Sequence, residues 1–312
     1  MSLAEALPTH TPYDDSSKLF SIGLKPLDPA DWIEVDDHLL PYLAEKRRLY
    51  AEIPERVFVE EDGTRDAQQE VLELLGAHLP ERFPDTYRRT AAGVEAVGTE
   101  SHFTIPSGLG DAPLVAASLL IQEDLILMRR NDSGWRLVAG SLCFPSSWLL
   151  VEKFGRPLQD IHAPVPGFGP GTRPAELINR MFDGLQGQAV ERYNWSIQSD
   201  NALYHPLSDL QRTDRATNRP SRFPDGDVGA HAFIRVERQT LRKLPVSCDI
   251  LFTIRIHLDP LAVLARHPDR AKLAASFAAQ LEALDLAQLD YKGLTSDRDR
   301  LIAVLNHMAN DA

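Results

Sequence analysis

Apolar positions along this chain change their period twice. From residue 36 to 50, and again from 64 to 78, they recur every three or four positions, the spacing of a helix with one buried face. The second run aligns Val71, Leu74, Leu75 and His78 on one stripe, so His78 reads as a packed core histidine rather than a ligand. In the middle of the chain the pattern shortens to strand-length runs. Segments 114–121, 125–130 and 135–142 read as strands, joined by the turns Gln122-Glu123-Asp124 and Asn131-Asp132-Ser133-Gly134. Turns that short connect antiparallel neighbours, which predicts a meander. Three more strands are expected at 190–197, 232–239 and 250–257.

Between the two groups of strands lies the run IHAPVPGFGPGTR, residues 161–173. Its prolines and glycines predict an irregular loop of fixed shape. A helix should follow to residue 182, capped by Thr172 with Pro174 in its first turn. Residues 199–230 are polar and read as a long loop, a lid or partner surface. Helices are expected to start at Asp259-Pro260, Pro268 and Ser296-Asp297. The order predicts an α+β fold, an antiparallel sheet with flanking N- and C-terminal helices. Residues 1–30 carry prolines and acids with little periodicity. They are expected to lie as an extended segment over a single domain spanning 31–309.

Composition narrows the function classes. The balance of 43% hydrophobic and 25% charged residues is that of a globular protein, not a disordered one. The net charge of −12 repels phosphate backbones and anionic lipid, so no nucleic-acid or membrane partner is expected. The same field tolerates a cationic substrate such as an amine. Two cysteines, Cys143 and Cys248, make neither a disulfide framework nor a four-thiolate zinc site. With no apolar run near the roughly 20 residues of a membrane span, and no signal-peptide core, a cytoplasmic protein is expected.

The glycine run Gly167–Gly171 lacks both the dinucleotide-binding spacing and the Lys-Ser/Thr of a phosphate loop. It reads as a turn, so an oxidoreductase built on this chain takes its electrons from elsewhere. His162 enters the stiff loop, where a rigid element could hold a metal at fixed geometry, and imidazole is a common axial ligand of haem iron. A loop histidine bonded to a carbonyl is the plainer reading of the same residue. The remaining histidines show no paired spacing that favours zinc or non-haem iron. On a strand, Glu191, Tyr193 and Trp195 share one face, with Arg192 and Asn194 on the other. An acid beside two rings can hold a small ammonium ion, and the same pattern suits an edge strand with mixed packing. Arg235 and Glu237 share a strand face, as do Arg255 and His257. Such charges face solvent or line a polar pocket, and the arginine fork suits haem propionates. Cys143, in SLCFPSSW, and Cys248 read as structural thiols. No serine-hydrolase elbow is present.

Five blocks then act as a set: LVAGSLCFPSSW (137–148), EKFGRPLQDIHAPVPGFGPGTR (152–173), ERYNW (191–195), IRVERQTLRKLP (234–245) and ILFTIRIH (250–257). Together, over roughly residues 30–305, they resemble the haem-dependent oxidative N-demethylase family. That resemblance implies a PAS-like fold that binds haem b. It implies monooxygenase-type removal of a methyl group from a small secondary amine, typically dimethylamine, with O2 consumed and formaldehyde released. It also implies partner subunits that bring electrons from NADPH through flavin and iron–sulfur centres and that handle the formaldehyde. Within it, His162 is expected to ligate the iron, and Arg235 and Arg255 to bind propionates. Glu191, Tyr193, Trp195 and Glu237 are expected to meet the amine. The alternative is a haem-binding PAS-like sensor without turnover, although no output domain is attached. A non-haem iron enzyme is a third reading.

Overall fold

Seven strands form one antiparallel sheet in the computed structural model, which describes residues 6–90, 93–96, 112–132, 134–223 and 226–310. An extended run leads into β1 (Lys25–Pro26). Helices α1 (Leu39–Glu52) and α2 (Pro54–Val57), strand β2 (Phe58–Glu60) and helix α3 (Arg65–Arg82) follow. A separate hairpin, β3 (Tyr87–Thr90) and β4 (Gly93–Ala96), precedes α4 (Pro113–Ser118). Strands β5 (Asp124–Asn131) and β6 (Gly134–Ser141) lead to short helices α5 (Leu150–Lys153) and α6 (Leu158–Ile161), and then to α7 (Arg173–Gly184). After β7 (Val190–Gln198) come α8 (Asp209–Asn218) and α9 (Val228–His231), then β8 (Phe233–Lys243) and β9 (Ile250–Pro260). Helices α10 (Arg270–Glu282), α11 (Leu286–Lys292) and α12 (Arg298–Asn310) end the described chain.

The sheet order is β1-β7-β8-β9-β5-β6-β2, so the α+β arrangement expected from the sequence is the one observed. The three-strand meander is not. Residues 113–118 form α4, and the edge of β5 that a first strand would have occupied pairs with β9. Pro113 at the first helical turn and the alanines of PLVAAS favour helix, and a short apolar run alone does not distinguish the two. Strand β9 runs through Asp259-Pro260, and a 3-10 turn (Leu261–Arg266) takes the place of the helix expected there. Residues 199–230 are not all loop. They contain α8, closed by a Ser208–Gln211 capping box, and α9. Ser133, residues 1–5 and residues 224–225, parts of expected turn, extended and loop segments, lie outside the described residues.

Alternation along the strands divides the sheet into two faces. Ile126, Met128, Leu241, Ile254 and Ile256 lie on one face and enter one core cluster. On the other, Leu125, Leu127 and Leu251 pack against Val71, Leu75 and Leu79 of α3. Further along that second face Trp195, Ile197, Ile234 and Val236 meet Phe277 of α10 and Leu301 of α12. Among the described residues no helix is long and apolar enough to cross a membrane.

A buried cation ties the elements behind the first face together. Lys46 of α1 is fully buried, and its Nζ donates to the carbonyls of Ser118 (3.1 Å) and Ile121 (3.1 Å), to that of Glu123, and to Ser118 Oγ (3.0 Å). Beside it, Asp124 accepts the backbone N–H groups of Cys143 and Phe144, each at 2.8 Å. Replacing Lys46 by Met would strand these carbonyls and leave Asp124 without its cation. We expect a loss of about 3–5 kcal/mol, read from urea unfolding midpoints; a loss under about 1 kcal/mol would mean that water replaces the ammonium.

Candidate functional site

A cavity of about 270 Å³ opens over the first face of the sheet. Its walls are largely apolar, with Ile126, Met128, Phe168, Leu241, Phe252 and Ile254 among them. The sheet supplies the floor. The 161–173 loop supplies one side, and α8 with the end of α11 supplies another.

His162 is on the wall. It is the C-cap of α6, whose last turn is closed by the His162 N–H donating to the Leu158 carbonyl at 3.1 Å. The next turn closes where the Val165 N–H donates to the His162 carbonyl at 2.8 Å. Thr172 Oγ1 donates to the Gly169 carbonyl at 2.7 Å and also caps α7, so the loop is anchored at both ends. The imidazole remains partly accessible from the cavity although protein surrounds it. Burial, and then the nearby Arg192 guanidinium, push its pKa down to about 4. The carbonyl of Leu158 favours a proton on the ring and works against both. The ring is therefore neutral at physiological pH, as a metal-ligating histidine must be.

The charged lining is mostly cationic: Lys153, Arg192, Arg212, Arg222 and Lys292. Arg192 donates no hydrogen bond and makes no ion pair among the described residues, and its Nε is buried without a partner. Lys153 sits 3.6 Å from Asp209, but its Nζ makes no hydrogen bond. Arg222 is engaged by the carbonyls of Ile197 (2.6 Å), Lys292 (2.7 Å) and Gly293 (3.0 Å). Burial lowers the Lys292 pKa to about 7, Glu237 opposing and Arg192 and Arg222 reinforcing. Among the described residues, Glu237 is the one acid on the wall. Asn194 Nδ2 (3.3 Å) and Gln239 Nε2 (3.0 Å) donate to its Oε2.

Of the residues singled out from the sequence, the cavity brings together His162 and Glu237. Arg235 is on the same sheet face but fully buried behind the wall, donating to the carbonyls of Phe144 (2.6 Å) and Leu203 (3.2 Å). Arg255 points to the second face, paired with Asp36 at 2.6 Å and lying over the Tyr42 ring. Glu191, Tyr193 and Trp195 also lie on the second face. Glu191 pairs with Arg238 at 2.9 Å, Tyr193 contacts Glu191, and Trp195 is packed against Phe277 with its N–H on Gln280. Glu191, Tyr193 and Trp195, expected to meet the amine, are on the face of β7 turned away from this cavity. The alternate residues Arg192, Asn194 and Ser196 are the ones on the cavity wall. Arg192 was legible as the opposite face of that strand, whereas Lys292 and Arg222 come from segments with no strand periodicity to flag them.

A family model described as haem-dependent oxidative N-demethylase, alpha subunit-like, matches residues 23–302. The chain belongs to this family. As a haem-dependent oxidative N-demethylase alpha subunit-like protein, it should carry haem, and the cavity fits that group. It offers a neutral imidazole, apolar walls for the macrocycle and, in Arg192, a buried guanidinium without a partner that suits a carboxylate.

Helix α8 closes this N-demethylase-family cavity from the side. Arg215 donates to the Tyr291 carbonyl at 2.8 Å and to Ser147 Oγ at 2.9 Å, and Arg219 pairs with Asp290 at 2.8 Å. Gly293, left-handed at φ +64°, ends α11 against the side chains of Arg215 and Arg222.

The His162 environment has a pH signature in the haem-free protein. Between pH 6.5 and about 4 the unfolded ring takes a proton that the folded ring refuses. Stability should therefore fall as pH drops through that window and be unaffected by this group above it. Urea midpoints measured across pH should show a shallower slope in His162→Phe; an unchanged slope would mean that the ring is solvated.

Proposed function

We propose that the chain binds haem b in the His162 cavity, on a PAS-like scaffold covering residues 31–309. On this reading it oxidatively N-demethylates a small secondary amine such as dimethylamine. The observation that carries the reading is the neutral His162 imidazole on an apolar wall shared with the unpaired Arg192 guanidinium.

His162 would hold the haem iron, its ring steadied by the Leu158 carbonyl and the anchored loop. Arg192 and Lys153 would meet the propionates, since Arg235 and Arg255 are engaged by backbone carbonyls and by Asp36. When bound, the haem supplies O2 activation and oxidation of the methyl carbon. Glu237 meets the ammonium form of the amine, its carboxylate fixed in direction by Asn194 and Gln239. The apolar walls exclude water around it, which strengthens that ion pair. Collapse of the oxidised methyl group releases formaldehyde and the shorter amine. Electrons come from NADPH through a flavin and iron–sulfur reductase subunit, and another subunit handles formaldehyde. The family's description as an alpha subunit supports such an assembly. Both cysteines are unpaired, which supports a reducing compartment, the cytoplasm.

Purified protein supplied with haem should show a Soret band that His162→Ala abolishes or shifts. Arg192→Ala should weaken haem affinity roughly tenfold to hundredfold, the worth of a charge-assisted hydrogen bond. Arg255→Ala should lower stability and leave the Soret band in place. With reductant and dimethylamine, formaldehyde should appear, and Glu237→Gln should raise KM about tenfold without altering the spectrum. No Soret band in the parent would overturn the haem reading. A normal band with no formaldehyde would favour a sensor.

A further inference from the structure

A second set of ligand-grade side chains converges on the opposite face of the sheet. His10 comes from the extended N-terminal run, Glu34 from the segment before α1, and His257 from β9. Nε2 of His10 is 2.8 Å from Glu34 Oε1, and Nε2 of His257 is 2.9 Å from Glu34 Oε2. The three donor atoms all lie within 4.8 Å of one another. We propose that His10, Glu34 and His257 bind a divalent transition-metal ion of the zinc class. The site lies outside the His162 cavity and does not depend on the haem reading.

Geometry supports it. Nitrogen and oxygen ligands about 2.0–2.2 Å from a tetrahedral ion lie about 3.3 Å apart. Each histidine is short to a different oxygen of Glu34, so an ion would replace those two hydrogen bonds and draw donor atoms that already lie within 4.8 Å of one another to that spacing. Two imidazoles and one carboxylate form a donor set that suits zinc, iron, cobalt or nickel. Each imidazole would give up its Nε2 proton, to its own Nδ1 or to solvent, and coordinate through the freed lone pair. A polar cavity of about 190 Å³, lined by His10, Thr9, Thr11, Asp14, Lys25 and Tyr193, adjoins the cluster. It leaves room for water to complete the coordination shell.

The surrounding charges also call for a cation. Two guanidiniums face the cluster, and each has its own carboxylate: Arg238 has Glu191 at 2.9 Å, and Arg255 has Asp36 at 2.6 Å. His38 contacts Asp36, and buried Glu123 accepts the Glu34 backbone N–H at 2.9 Å. Glu34 is 3.5 Å from the shared Arg238. The Asp259 carboxylate, close enough to His10 to interact with it, makes no hydrogen bond or ion pair among the described residues. Glu34 thus shares Arg238 with Glu191, and Asp259 makes no ion pair among the described residues, next to two nitrogen donors; Lys25 and Arg192 line the adjoining cavity. An ion here would fasten the N-terminal run to the sheet.

The test is titration of the full-length protein, as purified and with haem supplied, with zinc alone, by calorimetry in a non-chelating buffer. The parent should bind one equivalent, and its thermal midpoint should rise with zinc. His10→Ala, His257→Ala and Glu34→Gln should each lose that equivalent and the rise, with the haem spectrum unchanged. His10 lies in the N-terminal run outside the sheet, so its variant is the one expected to keep the fold if the others do not. X-ray absorption on the zinc-loaded parent should show a shell with two imidazoles. No bound equivalent in the parent, unchanged binding in His10→Ala, or a shell without imidazole would overturn the site.

Discussion

Much of this structure depends on where one ammonium group is buried. Lys46 reaches from α1 into a cage of carbonyls at the end of α4 and the start of β5. Without hydrogen bonds to spare in water, those carbonyls need a donor, and one lysine answers several at once. Asp124, at the first position of β5, then fixes the backbone of Cys143 and Phe144. The turn that follows carries Phe144, Ser147 and Trp148 to the cavity wall. The wall's position is thus set from beneath by a charge whose ammonium lies over the Phe144 ring, 5.6 Å from its centre.

Above that foundation, period-two alternation divides the chemistry. On β7, Arg192 and Asn194 belong to the cavity, while Glu191, Tyr193 and Trp195 belong to the packing against the N-terminal run and α10. On β9, Phe252 and Ile254 line the cavity, while Arg255 and His257 enter a network of carboxylates behind it. One sheet therefore separates a cavity whose charged lining is mostly cationic from an opposite face where histidines and carboxylates meet. The sheet is thin enough that neighbouring residues serve both.

The strands of the second half were legible because alternation and β-branched residues agree along 190–197 and 250–257. The resemblance carried by the five blocks was legible for the same reason: long ordered segments are specific. Which face of a strand meets a cavity was not legible, because alternation defines two faces without ranking them. Polar helix α8 was invisible to an apolar stripe, since none of its residues is buried. Its signal was the Ser208–Gln211 capping box. At 113–118 the apolar run suited either helix or strand, and the choice fell to a proline at the first turn and to an edge of β5 that β9 had taken.

Gly293 shows how far a backbone detail can reach. A β-carbon there would lie 2.8 Å from Arg215 Nε and 2.9 Å from Arg222 Nη2, closer than such atoms approach. Its left-handed conformation is also one that side chains resist. A single methyl at this helix end would therefore push on the two arginines that hold the side of the cavity. A backbone position at the end of α11 thus limits how the side of the cavity can be built, through two side chains that leave it no room for a β-carbon.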